Sequence, residues 1–308
     1  MNGNADPKDV ELERDKSMSI KSVAKTIVTN SDLLSMIRRK YLYYDACKYF
    51  KRCYKAYLSS GYPEQIRKYR NRYNGKRCFI IGNGPSLTAA DLDKLKGEFC
   101  FAANRIWLMY DKTTWRPAFY MCQDWNMIRG EKDRIREYPG PVFLGYDGLY
   151  KFGLQFDNAI AYLCDKRPCT KRENPMPFSI DCDQYVVDGT TVTYSSIQLA
   201  AYMGFSEIYL LGVDNSFQYT MDKNRKITRD ESVKETYFDS RYKEVFNQFG
   251  QGKNKAFGVN DPEMCHMIYT TARNACEKLN IKIYNATRGG KLEVFERINL
   301  DAITGDNL

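Results

Sequence analysis

Residues 79–87 read FIIGNGPSL. An apolar run, RCFIIG over 77–82, breaks directly into a turn without bulk, Asn83-Gly84-Pro85-Ser86. The run lacks period-two alternation, which is how a strand covered on both faces reads. The turn residues favour reversal, and their small size lets the main chain approach another group closely. Thr88 and Asp91 follow at capping-box spacing, so a helix is predicted over 88–96. Strand, tight polar turn and helix together are the opening unit of a parallel α/β layer.

The same grammar recurs. EFCFAAN (98–104), AFYMCQD (118–124), PVFLGYD (141–147), EIYLLGVD (207–214) and IKIYN (281–285) read as further strands. A helix is predicted over 193–202, stopped by Gly204 as a C′ residue. Another opens at Asp261-Pro262 and runs to about 279, with proline at its first position. The expected fold is α/β: a mostly parallel sheet with a Rossmann-like nucleotide-binding core.

Charge divides the chain. It carries 47 Lys and Arg against 38 acids, a net of +9. Between Met36 and Arg77 lie 13 basic residues and only two acids, Asp45 and Glu64, with nine of the 24 tyrosines. Leu33, Leu34, Ile37, Tyr41 and Tyr44 recur at three- and four-residue steps, and Gly61-Tyr62-Pro63 breaks the run. The expected organisation is a disordered tail over 1–17, a basic amphipathic helical extension over 18–75, and an α/β catalytic domain over 76–308.

No run approaches the roughly 18 apolar residues of a membrane span. The N-terminus is polar and acidic, unlike a signal peptide. The ten cysteines stand singly, several inside apolar strand-like runs, as buried thiols do in a reducing compartment. A cytoplasmic location follows as the expectation. It extends to the inner face of the membrane if residues 18–75 lie on anionic lipid, as basic helices with aromatics do. The other readings of that stretch are packing, against the core or a second copy in a homo-oligomer, and nucleic-acid binding, which is not expected.

Most predicted strands end in a polar residue: Asn83, Asn104, Gln123-Asp124, Asp214 and Asn285. In an open parallel sheet the ligand sits beyond these carboxyl ends. Carboxamides and carboxylates there offer paired donors and acceptors to a sugar or base edge. The Gly84-Pro85-Ser86 turn and the helix start behind it suit a phosphate. The dinucleotide fingerprint is not met, because Leu87 stands where a third small residue is wanted and Asn104 where the ribose acid would be. No P-loop sequence is present.

FIIGNGPSL, FAAN ending at Asn104, GTTVTYSSIQLAAYMGFSEIYLLGVD and IKIYNATRGGKLEVF, in that order, resemble bacterial lipooligosaccharide sialyltransferases. They also resemble a related superfamily, the motility-associated flagellin glycosyltransferases and the archaeal 6-hydroxymethylpterin pyrophosphokinase. The resemblance covers residues 77 to about 300. It implies a metal-independent glycosyltransferase that moves a sugar, an acidic one such as sialic acid, from its cytidine monophosphate conjugate to a glycan or lipid-linked glycan hydroxyl in surface polysaccharide or glycolipid synthesis. Carried onto this chain, Asn83, Gly84, Pro85, Ser86 and Asn104 hold the nucleotide. Gln123 and Asp124 lie over the donor, Thr190 and Thr191 contribute hydroxyls, and Asp214 closes the set. Tyr219 is placed near the leaving phosphate. The base is His266, the only histidine, or Glu263, which a gapless alignment puts in its place. No cofactor beyond the donor is implied.

Two alternatives accompany this reading. One is a pyrophosphokinase passing diphosphate from ATP to a pterin-like alcohol. The other is a non-catalytic protein that only binds a nucleotide or glycan. Asp181-Cys182-Asp183 is a DxD triplet of the kind that ligates a divalent ion on nucleotide phosphates; it follows no clear strand, and a metal is not expected. Arg288-Gly289-Gly290-Lys291, after the last strand, reads either as a loop closing over the donor or touching an acidic acceptor, or as a solvated turn.

Overall fold

The structure, a computed structural model, describes residues 32–167, 177–222, 226–243 and 260–305. The predicted tail over 1–17 and the helical start expected at Met18 lie outside them, as does Cys169. Two compact units divide the chain, Met1–Tyr49 and Phe50–Leu308. The predicted extension over 18–75 is therefore split, and residues 50–75 belong to the α/β unit.

The described part of the first unit is helical, the beginning of α1 (Asp32–Leu58). Ile37, Tyr41, Leu42, Tyr43 and Tyr44 are exposed. Four of these are consecutive, so they point to several sides of the helix.

In the second unit α2 (Tyr62–Arg67) follows Gly61, whose φ of 80° gives the left-handed turn that the Gly-Tyr-Pro break implied. Then come β1 (Arg77–Ile81), α3 (Ala89–Asp93), β2 (Cys100–Ala103), a 3-10 turn (Asn104–Met109) and β3 (Phe119–Cys122). The chain continues through α4 (Trp125–Gly130), α5 (Lys132–Glu137), β4 (Val142–Gly145), α6 (Tyr146–Phe152), β5 (Ala159–Tyr162), β6 (Cys164–Asp165) and β7 (Val186–Val187). After α7 (Val192–Tyr202) and β8 (Glu207–Leu211), β9 (Tyr219–Met221) and β10 (Ile227–Arg229) form a hairpin. The remainder is α8 (Pro262–Lys278), β11 (Lys282–Asn285), β12 (Glu296–Arg297) and α9 (Leu300–Thr304).

The main sheet has eight strands in the order β12-β11-β8-β1-β2-β3-β4-β5, and every neighbouring pair is parallel. From β1 the chain winds outward to β5. It then returns to lay β8 against the other side of β1, so the winding reverses at the β1/β8 seam. Successive residues of each strand feed two cores. Cys78, Ile80, Phe101, Met121 and Leu210 face one, beside α7. Phe79, Ile81, Cys100, Cys122 and Leu211 face the other. Burial on both faces is why these strands read as unbroken apolar runs. β5 and β12 join the sheet without having been predicted; β12 has only two residues.

Residues 50–75 hold onto this unit by aromatic and ionic contacts. Ile66 is fully buried, Tyr69 meets Phe143 edge-on, and Tyr73 stacks on Phe205 at 4.9 Å. Arg67 pairs with Asp183 at 3.1 Å and Arg70 with Asp181 at 2.8 Å. The DxD triplet is thus spent on ion pairs, with Cys182 buried between its two acids. Among the described residues no group of three or more His, Cys, Asp and Glu is arranged to hold a metal ion. None of their helices is long and apolar enough to cross a membrane.

Candidate functional site

Beyond the carboxyl ends of β1 and β8, at the reversal seam, lies a cleft of about 550 Å³. This is where an open parallel sheet takes its ligand. The cleft gathers polar strand ends from four strands: Asn83 and Gly84 after β1, Asn104 after β2, Gln123 and Asp124 after β3, and Asp214 after β8. The start of α7 supplies Thr190, Thr191 and Thr193 on the facing wall.

Of the polar groups named from sequence, some are free for a ligand and others are already used. The Asn83 amide donates to Ala103 O at 3.1 Å and to Tyr242 Oη at 3.3 Å, while its Oδ1 is buried and has no partner. The Asn104 Oδ1 is likewise buried without a partner. Gln123 is fully engaged: its Nε2 donates to Asp188 at 2.8 Å, its Oε1 accepts from Tyr162 at 3.0 Å, and its main-chain oxygen accepts from Lys166 at 2.6 Å. Asp124 caps α4, accepting from the Asn126 and Met127 amides at 2.8 and 2.9 Å.

The GNGPS turn owes its shape to Asp214. Ser86 donates its hydroxyl to Asp214 Oδ2 at 2.8 Å and its amide to Oδ1 at 3.3 Å. A β-carbon on Gly84 would sit 1.9 Å from Asp214 Oδ2 and 2.7 Å from Gly212 O, so only glycine fits. Pro85 and Ser86 do not line the cleft. The start of α3 is closed by its own capping box, Thr88 with Asp91, and Arg288 adds ion pairs to Asp91 and a bond to Ser86 O at 2.8 Å. The phosphate seat expected behind the turn is therefore filled by the protein's own groups.

The start of α7 differs. Its residues Thr190 through Thr193 line the cleft, with Thr191 as N-cap accepting from the Thr193 amide at 3.3 Å. An 11-residue helix presents positive dipole there. Thr190 is held at φ 63°, Asn104 at 55° and Asn215 at 50°; three of the five non-glycine residues with positive φ among the described residues therefore line this one cleft. Such strain persists where the surroundings over-determine it, and it concentrates at working sites.

Several lining residues escaped the sequence reading. Lys166 is the only Lys or Arg among the described residues lining the cleft. It pairs with buried Asp147 at 2.9 Å and lies 4.8 Å from the Trp125 ring centroid. Burial alone would lower its ammonium, but Asp147 and the more distant Asp188 more than offset this and push it up. Burial raises the Asp188 carboxyl, with Lys166 opposing, and it raises that of Asp214 despite the Ser86 bonds. Tyr237 and Tyr242 stack at 4.0 Å on the far wall, and Cys265 and Tyr269 of α8 reach in from another side. The usable signal was the i, i+4 spacing of Cys265 and Tyr269, which puts them on one helix face. Lys166 was masked by its basic run, KRPCTKR.

The three catalytic candidates stand apart from this cleft. His266 is exposed on α8 and lines a neighbouring cavity of about 240 Å³ instead. Glu263 is exposed in the first turn of the same helix, and Tyr219 is 39 % exposed on β9.

The family described as 6-hydroxymethylpterin diphosphokinase MptE-like matches residues 51–220. No curated protein matches the chain. Among solved structures it is similar to MAf glycosyltransferase from Magnetospirillum magneticum AMB-1, with 14% identity and a TM-score of 0.43 over 78% of this chain and 38% of that one. It is also similar to the sialyltransferase CstII from Campylobacter jejuni in complex with a substrate analogue, cytidine-5'-monophosphate, with 16% identity and a TM-score of 0.33 over 73% of this chain and 85% of that one. The chain spans little more than a third of the first of these proteins.

Proposed function

The chain belongs to the 6-hydroxymethylpterin diphosphokinase MptE-like family, and from that premise we propose that it is a transferase using a nucleotide-activated donor: a glycosyltransferase that moves a sugar from a cytidine monophosphate conjugate to a glycan hydroxyl. The observation that carries this reading is the pair of buried, partnerless oxygens, Asn83 Oδ1 and Asn104 Oδ1, at the sheet's reversal seam. A buried acceptor without a donor costs about 1–3 kcal/mol. A ligand presenting N–H or O–H groups, such as a cytosine amino group or ribose hydroxyls, would remove that cost on binding.

The rest of the cleft suits the remaining parts of such a donor. The hydroxyls at the start of α7, with Lys166 nearby, face the phosphate. They stabilise the charge that grows on it as the glycosidic bond breaks. In that step the acceptor oxygen bonds to the anomeric carbon, cytidine monophosphate leaves with the electron pair, and the acceptor proton passes to a base. His266, which lines the adjoining cavity, or Glu263 on the same helix would serve as that base. Gln123, Asp124 and Asp214 hold the walls in place rather than touch the donor.

A second reading is transfer of diphosphate from ATP to a pterin-like alcohol. It draws on the family's description and on the cleft's charge, three carboxylates (Asp124, Asp188, Asp214) against Lys166 alone. That excess suits a metal-bridged polyphosphate better than a bare one. The two readings separate in one assay. Release of cytidine monophosphate from its sialic acid conjugate in EDTA supports glycosyl transfer. Release of AMP from ATP, requiring magnesium and 6-hydroxymethylpterin, replaces that reading with the second.

A further inference from the structure

Between Phe50 and Lys76 the chain carries eight Lys or Arg and one acid, Glu64. This stretch belongs to the α/β unit. Arg67 and Arg70 are spent on the DxD acids, Arg72 lies over the Tyr69 and Tyr73 rings, and Lys76 lies over Phe99. Lys51, Arg52, Lys55 and Lys68 are exposed and make no ion pair among the described residues. Three of these stand on α1, whose two faces differ. Phe50, Cys53, Tyr54 and Tyr57 share the inner face: Cys53 and Tyr57 are fully buried, Phe50 meets Tyr185 edge-on, and Tyr54 donates to Gln184 at 2.7 Å. Lys51, Arg52, Lys55 and Leu58 fall at i, i+1, i+4 and i+7 and share the opposite face. Leu58 is an exposed apolar side chain at its end.

Beside α1 a row of rings runs outward. Tyr57 meets Tyr146 at 5.2 Å, and Tyr146 stacks at 6.2 Å on Tyr150, which is exposed. The next residue, Lys151, is exposed and lies 3.7 Å from the ring centroid of Trp125, which lines the main cleft. On the other flank Arg167 lies over Phe50 at 4.2 Å, one residue from the cleft-lining Lys166. The basic face of α1 therefore borders the cleft. We infer that this face docks on an anionic lipid bilayer. Charge complementarity selects the partner: clustered Lys and Arg with an exposed Leu and Tyr at the margin match phosphate headgroups over a shallow apolar layer. A second copy would set like charges against each other. A nucleic acid would need open ring faces to stack on, whereas Tyr57 and Tyr146 are covered by neighbouring rings. A bilayer held there lies beside the cleft, within reach of a substrate carried on lipid; the docking itself does not rest on the donor reading.

The test is flotation of the full-length protein with vesicles of phosphatidylcholine alone and of phosphatidylcholine mixed with phosphatidylglycerol. It is run at about 0.1 M and about 0.5 M salt, between which the screening length falls from about 10 Å to about 4 Å. The expected result is binding to the anionic vesicles alone, lost at the higher salt. Lys51→Gln, Arg52→Gln and Lys55→Gln combined should weaken that binding by at least about 10-fold, and Lys55→Gln alone by about 5-fold. A charge-matched control, Lys132→Gln, Lys278→Gln and Lys282→Gln combined, replaces exposed lysines of other elements and should stay within about 2-fold of wild type. Equal binding to neutral vesicles, no binding to anionic ones, or equal losses in the two triple variants overturns the docking face. Tighter binding to a single-stranded oligonucleotide than to anionic vesicles at the same salt, lost in the α1 variant, replaces the bilayer with a nucleic acid.

Discussion

Two polar rims meet at the seam between β1 and β8, and they are built to opposite rules. On the Ser86 side every strong group has a partner: Ser86 with Asp214, Thr88 with Asp91, and Asp91 with Arg288. On the Asn104 side two carboxamide oxygens are buried without one, and the backbone is bent into left-handed conformations. Both rims read alike in sequence, as small polar residues closing a strand. A satisfied rim is scaffold, whereas an unsatisfied one carries a cost that a ligand or a bound water relieves.

The largest expected effect lies on the satisfied rim. Gly84→Ala drives a methyl group into Asp214 and the Gly212 carbonyl, both backed by β8. Thermal or urea unfolding should show a loss of about 3 kcal/mol. A near-wild-type midpoint would mean that the turn is not clamped by Asp214.

Next comes Arg288→Ala, which leaves Asp91 buried without its cation. Breaking a fully buried pair costs about 3–5 kcal/mol; because the Arg288 side chain is 55% exposed, the expected loss is about 1–2 kcal/mol. The pH dependence has a definite sign. Burial would raise the Asp91 carboxyl, but Arg288 and Thr88 together hold it below the ordinary value of 3.8. A carboxyl lowered in the folded state stabilises above its unfolded pKa and loses that contribution as pH falls through the folded one. The gap between wild type and variant should therefore be full at pH 7 and close in strong acid. A gap that persists unchanged there would assign the loss to packing instead.

The smallest effect tests the strain on the open rim. Thr190 is a β-branched residue at φ 63°, a region it enters at a cost. Thr190→Gly relieves that cost and adds unfolded-chain entropy, for a net gain of about 0.5–1 kcal/mol in unfolding free energy. Nucleotide affinity should fall at the same time, through loss of the hydroxyl. A destabilised variant with unchanged affinity would place Thr190 in the scaffold class beside Ser86.

The sheet was legible because its strands are buried on both faces and its helix ends carry their caps in sequence. Thr88 with Asp91, Asp261 before Pro262, and Gly204 after α7 all stand where the pattern put them. The site was legible only in outline. Polar strand ends marked the rim, but sequence cannot tell an Asp214 that bonds Ser86 from an Asn104 whose oxygen is idle, since the difference is made by residues 128 positions away in the first case. Lys166, Asp188 and Tyr237 reach the cleft from loops whose path is set by the whole fold. The ion pairs of the DxD acids were out of reach for the same reason, because their partners Arg67 and Arg70 lie more than a hundred residues earlier.

The most direct test of the two-rim account is calorimetric titration of cytidine monophosphate, without added metal, into wild type, Asn104→Ala and Ser86→Ala. The expected result is measurable binding to the wild type, a loss of about 10-fold (1.4 kcal/mol) in Asn104→Ala, and wild-type affinity with a lowered midpoint in Ser86→Ala. Equal losses of affinity in both variants, or none in Asn104→Ala, would contradict it.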